Sequence, residues 1–278
     1  MTAEGCWSAF RAVLLREVLR FVNQRGRFLA ALVRPLIWLV AFAAGFRAAL
    51  GLSIIPPYET YITYEVYIVP GLIGMIQLFN GMQSSLSMVY DREMGSMRVL
   101  LTTPLPRAYL LFCKLAAGAA VSLIQAYAFL AIAALFGITF APLAYVAAFP
   151  VLVLTGLMLG AVGLVLSSQI RQLENFAGVM NFVIFPAFFL SSALYPIWKM
   201  RESSDVLAFI CSVNPFTHAV ESVRFALYLQ ASPPSLAVTA GVLVASTVLA
   251  VIGYDPARSL RPAFRDRPAP ETAPPDRE

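Results

Sequence analysis

Five stretches of the chain, residues 66–88, 115–136, 143–166, 176–197 and 235–253, contain no Asp, Glu, Lys, Arg or His. Each matches what a helix needs to cross a bilayer: roughly 20 mainly apolar residues, rising about 1.5 Å apiece, with every backbone polar group bonded inside the helix. A sixth stretch, residues 29–52, contains Arg34 and Arg47 with 12 uncharged residues between them. Both long side chains are expected to snorkel, toward opposite interfaces. The expected fold class is an all-α integral membrane protein with six transmembrane helices. A soluble globule is excluded because 59% of the 278 residues are hydrophobic and 13% charged, which leaves too little polar surface to cover an apolar interior.

Residues 1–28 read as a cytoplasmic N-terminus built on an amphipathic interfacial helix. Over 7–28, Phe10, Leu14, Leu15, Val18, Leu19, Phe21 and Val22 fill one half of a helical wheel, and Arg16, Arg20, Asn23 and Gln24 fill the other. Arg11 and Arg25 fall in the apolar half, which suits a helix lying at headgroup level; a helix packed on a partner is the alternative. The small apolar run 41–45 follows too long a charged region for a secretory signal, so the segment is expected to belong to the mature protein. Residues 254–278 carry six prolines among charges and are expected to be a disordered cytoplasmic tail.

Charge sets the expected orientation. With the N-terminus inside, 16 of the 20 Lys and Arg residues lie on the inner side, leaving Arg47, Lys199, Arg201 and Arg224 outside. Basic residues resist translocation, so both termini should be cytoplasmic. The net charge of +5 does not point to nucleic acid, because the cations are scattered between apolar spans. The longest outer segment, 198–234, contains a candidate amphipathic helix over 215–230 that need not cross. Cys6, Cys113 and Cys211 have no metal-ligand spacing, and neither a metal site nor a disulfide is expected.

Several functions fit poorly. No G-x-x-x-x-G-K-[ST] phosphate loop is present and neither Lys114 nor Lys199 follows a glycine, so energy would have to come from a partner. Carriers coupled to an ion gradient usually place an ionisable group near the midplane, and five of the spans have none. The single histidine, His218, lacks a ligand cluster. His218, Glu221 and Arg224 are spaced to share a helical face, either an ordinary polar face or a polar rim around an external exit. Gly156, Gly160 and Gly163 allow close approach of another helix, most simply within the chain. Gln77, Asn80, Gln83, Ser84, Asn181 and Ser191 are the candidates for a substrate path.

The segment Asp91-Arg92-Glu93-Met94-Gly95-Ser96-Met97-Arg98-Val99-Leu100-Leu101-Thr102-Thr103-Pro104-Leu105-Pro106-Arg107 resembles the cytoplasmic loop of ABC-2 type transporter permeases, D-R-E-x-G-[ST]-[LM]-x-x-L-x-x-[TS]-P followed by a basic residue. Asn214-Pro215-Phe216-Thr217-His218-Ala219-Val220-Glu221-Ser222-Val223-Arg224 is similar to that family's N-P-x-[TS]-x-x-x-[ED]-x-x-R element before the last span. The runs 53–61 and 81–85 look like permeases found beside quinoprotein (PQQ-dependent) alcohol-oxidation systems.

The resemblance implies the membrane subunit of an ABC exporter in a bacterial-type inner membrane, paired with a second copy and with two soluble ATPase subunits. It implies no enzyme activity and no cofactor in the chain itself, ATP and Mg being held by the ATPase. Residues 91–101 would form a coupling helix with Asp91 to Glu93 near its start and Met94, Met97, Leu100 and Leu101 as an apolar surface, stopped by Pro104; Gly95, Arg98 and Arg107 complete the element. A solvated loop is the plainer reading of the same residues. Gln169, Arg171 and Glu174 would make a second, smaller contact. The cargo would be an amphiphilic, lipid, glycan or drug-like molecule. The rivals are an ion-gradient-coupled carrier and a non-transporting membrane scaffold.

Overall fold

The computed structural model describes residues 3–23, 25–46, 57–58, 62–93, 106–170 and 172–254. These form helices α1 (Ala3–Asn23), α2 (Arg25–Phe46), α3 (Tyr64–Glu93), α4 (Arg107–Leu135), α5 (Pro142–Gln169), α6 (Leu173–Phe189), α7 (Ile197–Ser203), α8 (Asp205–Val213), α9 (Pro215–Leu227) and α10 (Pro233–Gly253). No strand occurs among the described residues. By length and apolarity alone, α4, α5 and α10 qualify as membrane-crossing, and Ala31–Ala41 within α2 and all of α6 are shorter apolar helices. The protein is an all-α, multi-pass membrane protein.

Prolines set several of these starts. Pro142, Pro215 and Pro233 each open a helix at the first turn, where a missing N–H costs nothing and the fixed φ suits the helix. The expected interfacial helix stops earlier than its apolar pattern did: α1 ends at Asn23 and the chain from Arg25 already belongs to α2. α1 packs against α4 and α2 of its own chain, with the Phe10 and Phe112 rings stacked at 6.2 Å. Leu15, Leu19 and Val22 remain exposed on it, so only part of its apolar face is used internally.

α3 is the hub. It packs against α2, α4, α5, α6 and α9, and Ile68, Val69, Leu72 and Ile73 are completely buried. Its crossing with α5 is closest where Gly81 meets Gly160 and Gly163, while Gly156 and Gly160 also face Ser122 and Leu115 of α4. A Cβ on Gly81 would lie 2.9 Å from the Gly160 nitrogen, and one on Gly163 would lie 2.8 Å from the Gly81 carbonyl oxygen. Two helix backbones therefore touch directly, the packing that replaces hydrophobic association inside a membrane. Gly81→Leu should lower the stability of the detergent-purified chain by about 1–3 kcal/mol through overpacking. Gly241→Leu, where a Cβ meets nothing within 4 Å, should leave the melting temperature unchanged.

The helices alternate in direction and gather their ends in two groups. At one end lie the last turn of α3, the first of α6 and the last turns of α5 and α10, where Ser167 and Tyr254 share a hydroxyl hydrogen bond of 2.7 Å. At the other lie the start of α3, α7, α8 and α9, with Tyr64 donating to the Leu194 carbonyl at 2.9 Å.

Candidate functional site

At the first end, the described part of α3 runs through Asp91 and Arg92 to Glu93. Glu93 reaches across the chain to the start of α6, where the helix dipole favours a negative charge. Its Oε2 accepts the Leu173 N–H at 3.0 Å, in the first turn of α6 where backbone donors have no partner within the helix. The two segments that the sequence treats as separate contacts thus meet: Gln169 is the last residue of α5, Gln172 caps α6, and Glu174 is exposed beside Glu93. Met94, Gly95, Met97, Arg98, Leu100, Leu101 and Pro104 lie outside the described residues, as do Arg171 and residues 53–56 and 59–61. Arg107 opens α4.

At the opposite end, α8 and α9 meet at a bend of 75° around Asn214. Asn214 joins three helices. Its Oδ1 caps α9 by accepting the Phe216 N–H at 3.0 Å, and its Nδ2 donates to the Ala187 and Leu190 carbonyls, 2.8 and 2.6 Å away, at the end of α6. The latter bonds answer the open carbonyls left where α6 stops, at Phe189 rather than at the Ile197 expected from the apolar run. Thr217 continues the seam, donating to the Cys211 carbonyl at 2.6 Å and accepting the Ser192 N–H at 3.3 Å.

Arg224 is the centre of this end. It is 2% exposed, pairs with Glu221, donates to the Ser192 carbonyl at 2.8 Å and places its guanidinium 4.1 Å from the centre of the Tyr67 ring. Tyr67 donates to the same Ser192 carbonyl at 2.9 Å. Burial pushes the Tyr228 phenol up to about 12 and raises Tyr58 as well, against the opposing pull of Arg224, so neither supplies a counter-charge at neutral pH. Among the described residues, Glu221 is the carboxylate paired with Arg224. His218 is half-buried with Nε2 3.0 Å from the Ser212 carbonyl. The motif thus braces α9 against α3 and the α6–α7 turn through the buried Arg224, while His218 and Glu221 stay partly exposed.

The candidate path residues separate. Gln77 faces α5, donating to the Leu152 carbonyl at 2.7 Å and accepting from the Thr155 hydroxyl at 2.7 Å. Ser191 is buried in the turn after α6, where its hydroxyl donates to the Phe188 carbonyl at 2.6 Å and accepts the Ala193 N–H at 3.2 Å. Both are structural bonds within the bundle. Asn181 is exposed on α6. Asn80 and Gln83 line two cavities on the side of α3 turned toward α1, α2 and α4, and Ser84 lines one of them. Asn80 also bonds Gln125 of α4, a residue that sequence reasoning passed over although it is polar in a run otherwise almost wholly apolar.

The family model of the ABC-2 type transporter matches residues 8–228, from α1 through the cap of α9. The chain belongs to the ABC-2 type transporter family. Among relatives of this permease, a chain named as a transport permease, ycf38, from Porphyra purpurea is 29% identical over 221 residues, covering 77% of this chain and 72% of that one. YbhR of Escherichia coli (strain K12), named as a multidrug ABC transporter permease, is 31% identical over 169 residues, 60% of this chain and 45% of its own length. Nodulation protein J of Rhizobium leguminosarum bv. viciae is 23% identical over 199 residues, 70% of this chain and 73% of its own. The family match thus spans both motif segments of the permease and stops before α10.

Proposed function

We propose that this permease is the membrane subunit of an ATP-driven exporter, powered by a separate soluble ATPase. The observation that carries the reading is the Glu93 bond to the start of α6, which ties the end of the hub helix to the segment 169–174 and lets a push on one move the other. In this reading α2, α3, α4, α5, α6 and α10 make six crossings, with the Glu93 end and both termini in the cytoplasm of a bacterial-type inner membrane. Residues 91–101 continue from that end into a cleft of the ATPase, which holds the ATP and Mg; the chain itself carries no cofactor and catalyses no reaction.

Two copies of the permease pair around a central route and engage two ATPase subunits. The exposed apolar side chains of α6, Phe182 and Phe185 among them, supply a face for that pairing or for lipid. The cargo is an amphiphile of the lipid, glycan or drug-like classes, in keeping with the name of the multidrug relative.

The test is gentle detergent purification of the tagged chain from its native host. An ATPase subunit that copurifies in near-equal amount and hydrolyses ATP is the expected result. Its repeated absence, with transport driven instead by a proton or sodium gradient, overturns the reading in favour of a gradient-coupled carrier.

A further inference from the structure

One cavity holds polar groups that the bundle leaves unused. It lies between α2, α3 and α4, has a volume of about 100 Å³, and is lined in part by Arg34, Phe79, Asn80, Gln83 and Gln125. The guanidinium of Arg34, an exposed side chain, sits 4.1 Å from the centre of the Phe79 ring, halfway along α3. Arg34 lies nine residues into α2, roughly 14 Å from the helix start at 1.5 Å per residue. No carboxylate pairs with it among the described residues. With α2 read as a crossing, a cation this far along it is costly and marks a site where something balances it.

The far wall supplies a second, independent observation. Gln125 is 1% exposed, its Oε1 accepts from Asn80, and its Nε2 is buried without a partner among the described residues. An unpaired buried amide is costly, so a ligand that accepts from it recovers that loss. We propose that this pocket takes the anionic head of an amphiphile, a phosphate or carboxylate, whose oxygens accept from Arg34, Gln125 and Gln83.

Size, charge and surroundings select this class. The volume is below the ~300–1,000 Å³ that encloses a drug-sized molecule, so a head fits and a whole ligand does not. Val33 and Ile37, exposed beside Arg34 on α2, offer an apolar flank for the tail. The neighbouring cavity of about 60 Å³, across Asn80 and Gln83, is bounded by Glu17 and would repel the same anion. The inference deepens the exporter reading, on which it rests for naming a cargo class.

The probe is dioctanoyl phosphatidic acid, titrated onto the full chain in neutral detergent and counted by native mass spectrometry, with uncharged dioctanoylglycerol as comparison. The phosphatidic acid should bind the more tightly. Arg34→Gln, at an exposed side chain whose loss does not threaten folding, should weaken it about tenfold or more, and Gln125→Leu by a smaller factor in the same direction. Arg16→Gln, on α1 where Arg16 pairs with Glu17 at the surface, should leave binding within about twofold.

Equal affinity for the uncharged lipid, or wild-type affinity in Arg34→Gln, overturns the proposal. Host phospholipid retained by the wild type and lost from Arg34→Gln identifies a bilayer lipid as the occupant. Arg34-dependent binding of added phosphatidic acid without retained phospholipid identifies incoming cargo. Binding requires no ATPase, so this result stands apart from the copurification test.

Discussion

Glu221→Ala should destabilise the purified permease by about 3 kcal/mol, because it leaves the Arg224 guanidinium buried with no counter-charge. Arg224 is 3% exposed at its side chain and Glu221 21%, so solvent can relieve only one side of the pair. For a chain of this size the loss corresponds to a fall of roughly 6–12 °C in melting temperature. The Ser192 carbonyl and the Tyr67 ring still hold the guanidinium after the change, but neither carries a full negative charge. A second variant separates charge from packing. Glu221→Ala combined with Arg224→Met removes both charges and should recover a large part of the loss, since replacing a whole buried pair with apolar groups is often close to neutral. Equal destabilisation by the single and double variants would show that Arg224 acts through its volume and its bonds to the α6–α7 turn.

Glu93→Arg should abolish coupling while sparing insertion and folding. The carboxylate that accepts the Leu173 N–H is replaced by a cation facing the positive end of the α6 dipole, turning an attraction into a repulsion. Glu93 is exposed and solvent competes for its bond, so stability should fall by no more than about 1 kcal/mol. The bond lost lies within the chain, so the larger effect expected is on the passage of movement from α3 to α6 and on capture of the ATPase. The measurements are the amount of ATPase that copurifies and the ATP-dependent transport of reconstituted complexes. Full transport by Glu93→Arg would remove the coupling role from this end of α3.

Much of this architecture is legible in the apolar runs, because a helix in a bilayer must satisfy its backbone internally and cannot hide charges. The glycines of α5 are legible for the same reason: Gly156, Gly160 and Gly163 mark a face for close approach, and the partners are α3 and α4 of the same chain. The stop of α6 at Phe189 is not legible from charge, since residues 190–195 carry none. It depends on Asn214, some 25 residues later, reaching back to the last carbonyls.

The polar residues show the same limit. Gln77, Asn80, Gln83 and Ser84 look alike in sequence, yet Gln77 faces α5 while the others face cavities, because small shifts around a helix decide which neighbour a side chain meets. The spacing of the Arg224 motif predicts a shared polar face. Arg224 is buried while His218 and Glu221 are partly exposed, and spacing alone carries no information on how deep each residue sits.

The most direct measurement on the coupling of this permease to an ATPase is photocrosslinking in the native host. Benzoylphenylalanine is placed at position 174, exposed beside Glu93, and in a second variant at position 209, where Phe209 is exposed on α8 at the other end of the bundle. The account predicts an adduct with the soluble ATPase from position 174 and none from position 209. An adduct from position 209, or none from 174 in a complex that copurifies intact, would contradict it.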